Sequence, residues 1–97
     1  MPTYITLVHF TQKGIEDIKH APDRLTTAKE RARSRGGEIK AFYLVLGQYD
    51  AVIISEAPND ESAATGWLFA GSQGYVRTET LRAFTEDEYR KIVAAIP

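Results

Sequence analysis

The chain has no cysteine, which excludes disulfides, a thiolate nucleophile and thiolate metal ligands. Histidine is scarce as well: His9 and His20 are the only two, neither has a second histidine at ligand spacing, and no metal site is expected. Neither sign of charge prevails. Twelve basic residues against thirteen acidic ones give a net charge of −1, which provides no general field to attract phosphate backbones. Arg24, Lys29, Arg31, Arg33 and Arg35 form a locally basic run, but Asp23 and Glu30 interrupt it and no aromatic platform lies beside it. It reads as a solvated helix face, and no nucleic-acid partner is expected. Long apolar runs are missing too. Nothing approaches the roughly 18 residues that cross a bilayer, and Met1-Pro2-Thr3-Tyr4 lacks the basic-then-apolar pattern of a signal peptide. A soluble, cytoplasmic chain without a membrane partner is the expectation. Gly71-Ser72-Gln73-Gly74 precedes a strand, whereas a phosphate loop precedes a helix, so no cofactor is expected.

What is present is a foldable composition: 97 residues, 43% hydrophobic and 26% charged, predict one domain over residues 1–97. Its core is thin. A chain this short buries roughly 60–65% of its extended surface, so stability beyond about 5–10 kcal/mol calls for help such as self-association.

Thr3–Phe10 reads as a first strand, and Thr11 supplies a helix N-cap. Apolar residues at helical spacing follow, with a step at His20-Ala21-Pro22 because Pro22 removes an N–H donor and pushes Ala21 out of the helical region. Gly36-Gly37 ends the longer helix. Glu38–Leu46 is a second strand, turned back by Gly47-Gln48-Tyr49-Asp50 into Ala51–Glu56. Asn59 or Asp60 caps a helix through Ala70, Tyr75–Phe84 is the last strand, and Thr85-Glu86-Asp87-Glu88 is a capping box for a terminal helix with the apolar stripe Tyr89, Ile92, Val93 and Ile96. This order, β-α-β-β-α-β and then α, predicts a ferredoxin-like α+β sandwich: a four-stranded antiparallel sheet, strands one and three central, two helices on one face.

Ile5–Phe10 and Ile39–Leu46 are apolar at almost every position instead of every second one. Such strands have two faces to hide, and one helix layer covers only one. The reverse face is assigned Tyr4, Val8, Phe10, Phe42, Leu44, Val52 and Ile54, with strand parity open by one residue. Burying several such side chains stabilises by roughly 1.5–3 kcal/mol each, which favours sheet-to-sheet dimers enclosing a barrel-like interior over a terminal helix folded across its own sheet. The second strand, with Lys40 as its only charged interruption, is an edge that invites further pairing.

The segments Tyr4–Thr11, Phe42–Asp50 and Gly71–Thr85, the middle one ending in Gly47-Gln48-Tyr49-Asp50, resemble the GYD family over nearly the whole chain. The resemblance implies a dimeric α+β barrel, a fold shared with small monooxygenases, isomerases and ligand-sensing domains, and imports no particular reaction.

Candidate site residues are few. His9 and Asp50 are the candidates for proton transfer. Tyr43, Tyr49 and Arg77 are the candidates for holding a small molecule, the tyrosines through an aromatic body with a polar tip and Arg77 through a guanidinium that needs a carboxylate or anion if enclosed. Three functions fit: a small-molecule binding or sensing domain; a cofactor-independent isomerase- or monooxygenase-like enzyme on a small aromatic or carbonyl compound; and a structural oligomerisation module. The lack of a Ser/His/Asp order or a carboxylate pair puts binding first.

Overall fold

β-branched and aromatic side chains dominate Thr3–Phe10, and in the computed structural model, which describes residues 1–97, this stretch is strand β1. Thr11 ends the strand and opens α1 (Gln12–Glu16): its hydroxyl accepts from the Gly14 N–H at 3.1 Å and donates to the Gly74 carbonyl. A 3-10 turn, Ile18–His20, makes the step before Pro22. Helix α2 (Ala21–Ser34) then starts with that proline in its first turn, where the missing N–H has no intrahelical partner to lose; Ala21, expected outside the helical region, is itself helical at φ −59° and ψ −40°, and the step falls on the residues before it. Gly36 at φ +84° and Gly47 at φ +127° take the left-handed region their turns require. Strands β2 (Glu38–Leu44) and β3 (Ala51–Glu56) form the hairpin, α3 (Asp60–Ser72) is capped by the Asn59 side chain, and β4 (Val76–Ala83) leads into α4 (Glu86–Ala94). The sheet order is β2-β3-β1-β4, antiparallel throughout. No helix is long and apolar enough to cross a membrane.

Register assigns the two faces. Phe42, Ile53, Thr6 and Thr80 form one row across the sheet on the helix side, where the Thr6 and Thr80 hydroxyls meet at 2.9 Å. Val8, Ala51 and Ile53 make the small core there, with Phe10, Ile39, Trp67 and Val76 packed around it. Ala41, Ile54, Ile5 and Leu81 form a row on the opposite, uncovered face. This corrects the face assigned from sequence. Tyr4, Val8, Phe10, Phe42 and Leu44 are on the helix-side face, Leu44 at its uncovered edge, and of the seven only Val52 and Ile54 belong to the open face, which Ile5 and Leu7 share. Two physical causes obscured the parity: β1 is apolar on both faces, and an irregularity between Ile39 and Ala41 shifts β2 by one residue. β2 also ends at Leu44, two residues early, leaving Leu46 99% exposed. Only eight residues are buried, so the core is as thin as the chain length implies.

Tyr4 is one of those eight, and it donates its hydroxyl to Asp60 Oδ1 at 2.5 Å. Burial first, and then that bond and the Asp60 charge, push the phenol from 10.0 up to about 12. The folded state therefore holds this proton when the unfolded chain has begun to release it. The contribution is complete below pH 10 and is lost as pH rises through 12. Phenolate absorbance should show a late-titrating tyrosine that is missing in Tyr4→Phe, and that variant should lose about 1 kcal/mol in urea unfolding at neutral pH.

Candidate functional site

α2 has no fully buried residue. Its inward side chains near the sheet, among them Leu25 and Ala28, are too small or too few to reach the floor, and a cleft of about 800 Å³ opens between this helix and the sheet. Phe10, Phe42, Ile53 and Val76 line the sheet side, and Trp67 from α3 is a further wall. In α3 the small residue Ala63 is fully buried, whereas α2 buries none of its side chains completely.

The mouth is polar and internally paired. Asp17 accepts from Arg24 at 2.8 Å and meets His20 Nδ1 at 2.6 Å. The His20 bond, with the charges of His20 and Arg24 behind it, holds the Asp17 carboxyl below its usual range. Arg24 also stacks on Tyr75 at 4.1 Å, and the Lys13 ammonium lies 4.4 Å from the same ring. Every charge of this cluster thus has a protein partner, and most of the other lining residues are apolar. Such a site suits an uncharged or mostly apolar guest better than an anion. No group of three or more metal-ligating side chains gathers anywhere in the chain.

The five residues singled out from sequence do not line this cleft. Tyr43, His9 and Arg77 stand on the open sheet face by register, Tyr43 opposite Val52 and His9 opposite Arg77. Tyr49 reaches the same face from the hairpin: its ring lies 4.9 Å from that of His9, and its hydroxyl donates to Glu79 at 3.1 Å, which raises the phenol above its ordinary value. Arg77 is exposed and makes no ion pair. Asp50 does a different job. Its carboxylate accepts from the Phe10 N–H at 2.9 Å, its own N–H donates to Val8 at 2.8 Å, and its carbonyl accepts from Val45 at 2.9 Å, so it ties the hairpin to β1. No hydrogen bond links it to the His9 side chain. Asp50→Ala should therefore cost about 1–3 kcal/mol in urea unfolding, with Asp50→Asn losing less because an amide oxygen still accepts.

Sequence reasoning missed the mouth. Asp17, His20 and Arg24 fall at i, i+3 and i+7, a helical spacing that was there to be read, but Pro22 breaks the segment and directs attention to the interruption.

Residues 4–93 match the family model described as GYD domain. A Thermus thermophilus protein named "Glutamine synthetase and cystathionine beta-lyase binding protein" is 38% identical over 84 residues, covering 86% of this chain and 88% of its own length. The crystal structure of TTHA0845, also from Thermus thermophilus, aligns with a TM-score of 0.55 at 24% identity, over 88% of this chain and 95% of that one. That likeness carries the α+β fold, with its four-stranded antiparallel sheet and helices.

Proposed function

This chain belongs to the GYD domain family, and we propose that it is a small homo-oligomeric binding protein that takes a largely apolar molecule into the cleft beneath α2. The cleft carries the reading: about 800 Å³ is the size of a ligand pocket, and most of the residues that line it are apolar. Function through binding also accords with the name of the 38% identical relative, a binding protein for two enzymes, and extends the proposal to protein partners of this chain.

Surface area supports pairing. The chain exposes 6698 Å², whereas a compact monomer of 10.8 kDa exposes about 5,500 Å². The surplus of about 1,200 Å² exceeds the roughly 800 Å² that each partner contributes to a standard interface. The open row Ala41, Ile54, Ile5 and Leu81 is the surface that sheet-to-sheet packing in a dimeric α+β barrel would hide. Tyr43, Tyr49 and Arg77 lie within that pairing face, and a molecule held by them sits between subunits.

Thermal unfolding against a panel of flat aromatic and short aliphatic compounds tests the cleft. At a hundredfold excess over its dissociation constant, a true guest raises the midpoint by about 10 °C or more. Ala28→Trp, which places an indole in the gap, should remain folded and lose that response. A panel without effect on the native chain, beside an Ala28→Trp variant that gains stability by filling the space, overturns the reading.

A further inference from the structure

The charges at the mouth of the cleft are engaged with one another, but further along α2 a guanidinium is left over. Arg31 follows Arg24 by seven residues, about 10 Å along the helix axis, and it is half-buried. Its flat face stacks on the Phe69 ring of α3 at 4.3 Å. It takes part in none of the chain's ion pairs, and the side-chain hydrogen bonds made by arginines belong to Arg24, Arg35, Arg82 and Arg90. A guanidinium held by its face, with the N–H edge unused, is a fork set for a planar bidentate acceptor.

Arg31 also stands where the cleft meets a second, smaller space. A side pocket of about 80 Å³ lies between α2, α3 and the sheet, and it shares Ala28, Arg31, Trp67 and Ala70 with the cleft. Ser55 is in its wall. Register sets Ser55 between Tyr4 and Ile39 on the helix side, where it is 7% exposed and its hydroxyl bonds to no other group of the chain. Every side-chain oxygen or nitrogen sealed from solvent has a partner, so this hydroxyl is not sealed and opens into the pocket that it lines. The lining is also unbalanced in charge. Arg31 and Arg35, one turn apart on α2, share it with a single acid, Glu56, which already stands 3.9 Å from Lys40. Arg35 reaches the Ser62 carbonyl only at 3.5 Å. A half-buried cation and a buried hydroxyl, both without partners around a space for a few heavy atoms, suit a small anion, and the apolar cleft beside them suits a body attached to it.

We propose that the guest of the cleft is a carboxylic acid with an aromatic or aliphatic body: its carboxylate enters the side pocket, accepts from the Arg31 fork and from the Ser55 hydroxyl, and leaves the body in the cleft beside Trp67. The proposal rests on the largely apolar guest inferred above and adds the group that orients it. One acid group at one end of such a molecule also fits a mouth whose own charges are already paired.

Calorimetric titration of the full-length chain with matched acids and alcohols, phenylbutanoate against phenylbutanol and hexanoate against hexanol, reads the carboxylate by itself. At neutral pH the acid of a pair should bind at least tenfold more tightly than its alcohol. Arg31→Gln should abolish that preference and leave the alcohol's affinity as it was, and Ser55→Ala should reduce the preference about threefold. Arg33→Gln removes the same charge from an exposed site on the same helix, outside both spaces, and should keep the preference. Circular dichroism should stay native in all three variants. Alcohols that bind as tightly as their acids overturn the carboxylate and leave the apolar cleft standing, as does an acid preference that Arg31→Gln retains or that Arg33→Gln removes equally. A native chain that takes up neither member of either pair removes both.

Discussion

Gly14→Ala should lower stability by about 3 kcal/mol or more, a large part of the 5–10 kcal/mol or so available to a domain of this size. In an ordinary helix the exchange of glycine for alanine gains roughly 0.5–1 kcal/mol, so the sign itself is diagnostic. A Cβ at Gly14 would stand 2.1 Å from the Tyr75 carbonyl oxygen and 3.1 Å from its carbon, both of them backbone atoms. That carbonyl is not free to retreat. It accepts the Thr11 N–H at 3.1 Å, Thr11 also donates to Gly74, and the Tyr75 ring is stacked by Lys13 and Arg24. Gly66, in the middle of α3, has nothing within 4 Å of an added Cβ and serves as the control: Gly66→Ala should gain roughly 0.5–1 kcal/mol. Urea unfolding of both variants reads the contrast, and a native midpoint for Gly14→Ala would show that α1 does not sit against the Tyr75 backbone.

Ile5→Asp should separate the subunits. Ile5 lies on a central strand in the row Ala41, Ile54, Ile5 and Leu81, so in a paired form its replacement leaves a carboxylate buried without a partner. A rise of at least about a hundredfold in the dissociation constant, near 3 kcal/mol, is expected. In one chain the same position faces solvent, so the variant should keep native circular dichroism as a monomer. Sedimentation at several concentrations separates these outcomes; an Ile5→Asp protein that pairs as tightly as the native chain would place the interface elsewhere.

Local chemistry was the most legible part of the sequence. Thr11 and Asn59 cap helices, Pro22 sits at the step between helical segments, Gly36 turns the chain after α2, and the Thr85–Glu88 box forms with both bonds. These devices depend on neighbours within a few residues, and strand order followed from connection rules. Parity was not legible. Alternation is the signal that separates two faces of a strand, and Ile5–Phe10 lacks it, while Thr6, fully buried against Thr80, disguises itself as a surface residue. The cleft was hidden for another reason. It lies between α2 and the sheet, and how deeply a helix seats its side chains is a tertiary property that no residue pattern within the helix records. The family likeness, by contrast, was readable from Phe42–Asp50 and the segments around it, and it spans residues 4–93.

The irregularity at Lys40 has a bearing on how far assembly can proceed. An extra strand arriving along β2 would meet donors and acceptors that fall out of step between Ile39 and Ala41, with the Lys40 ammonium held there between Glu38 and Glu56 at 3.6 and 3.9 Å. Ladder growth from this margin is therefore checked at Lys40, which disfavours open-ended, fibril-like stacking along β2.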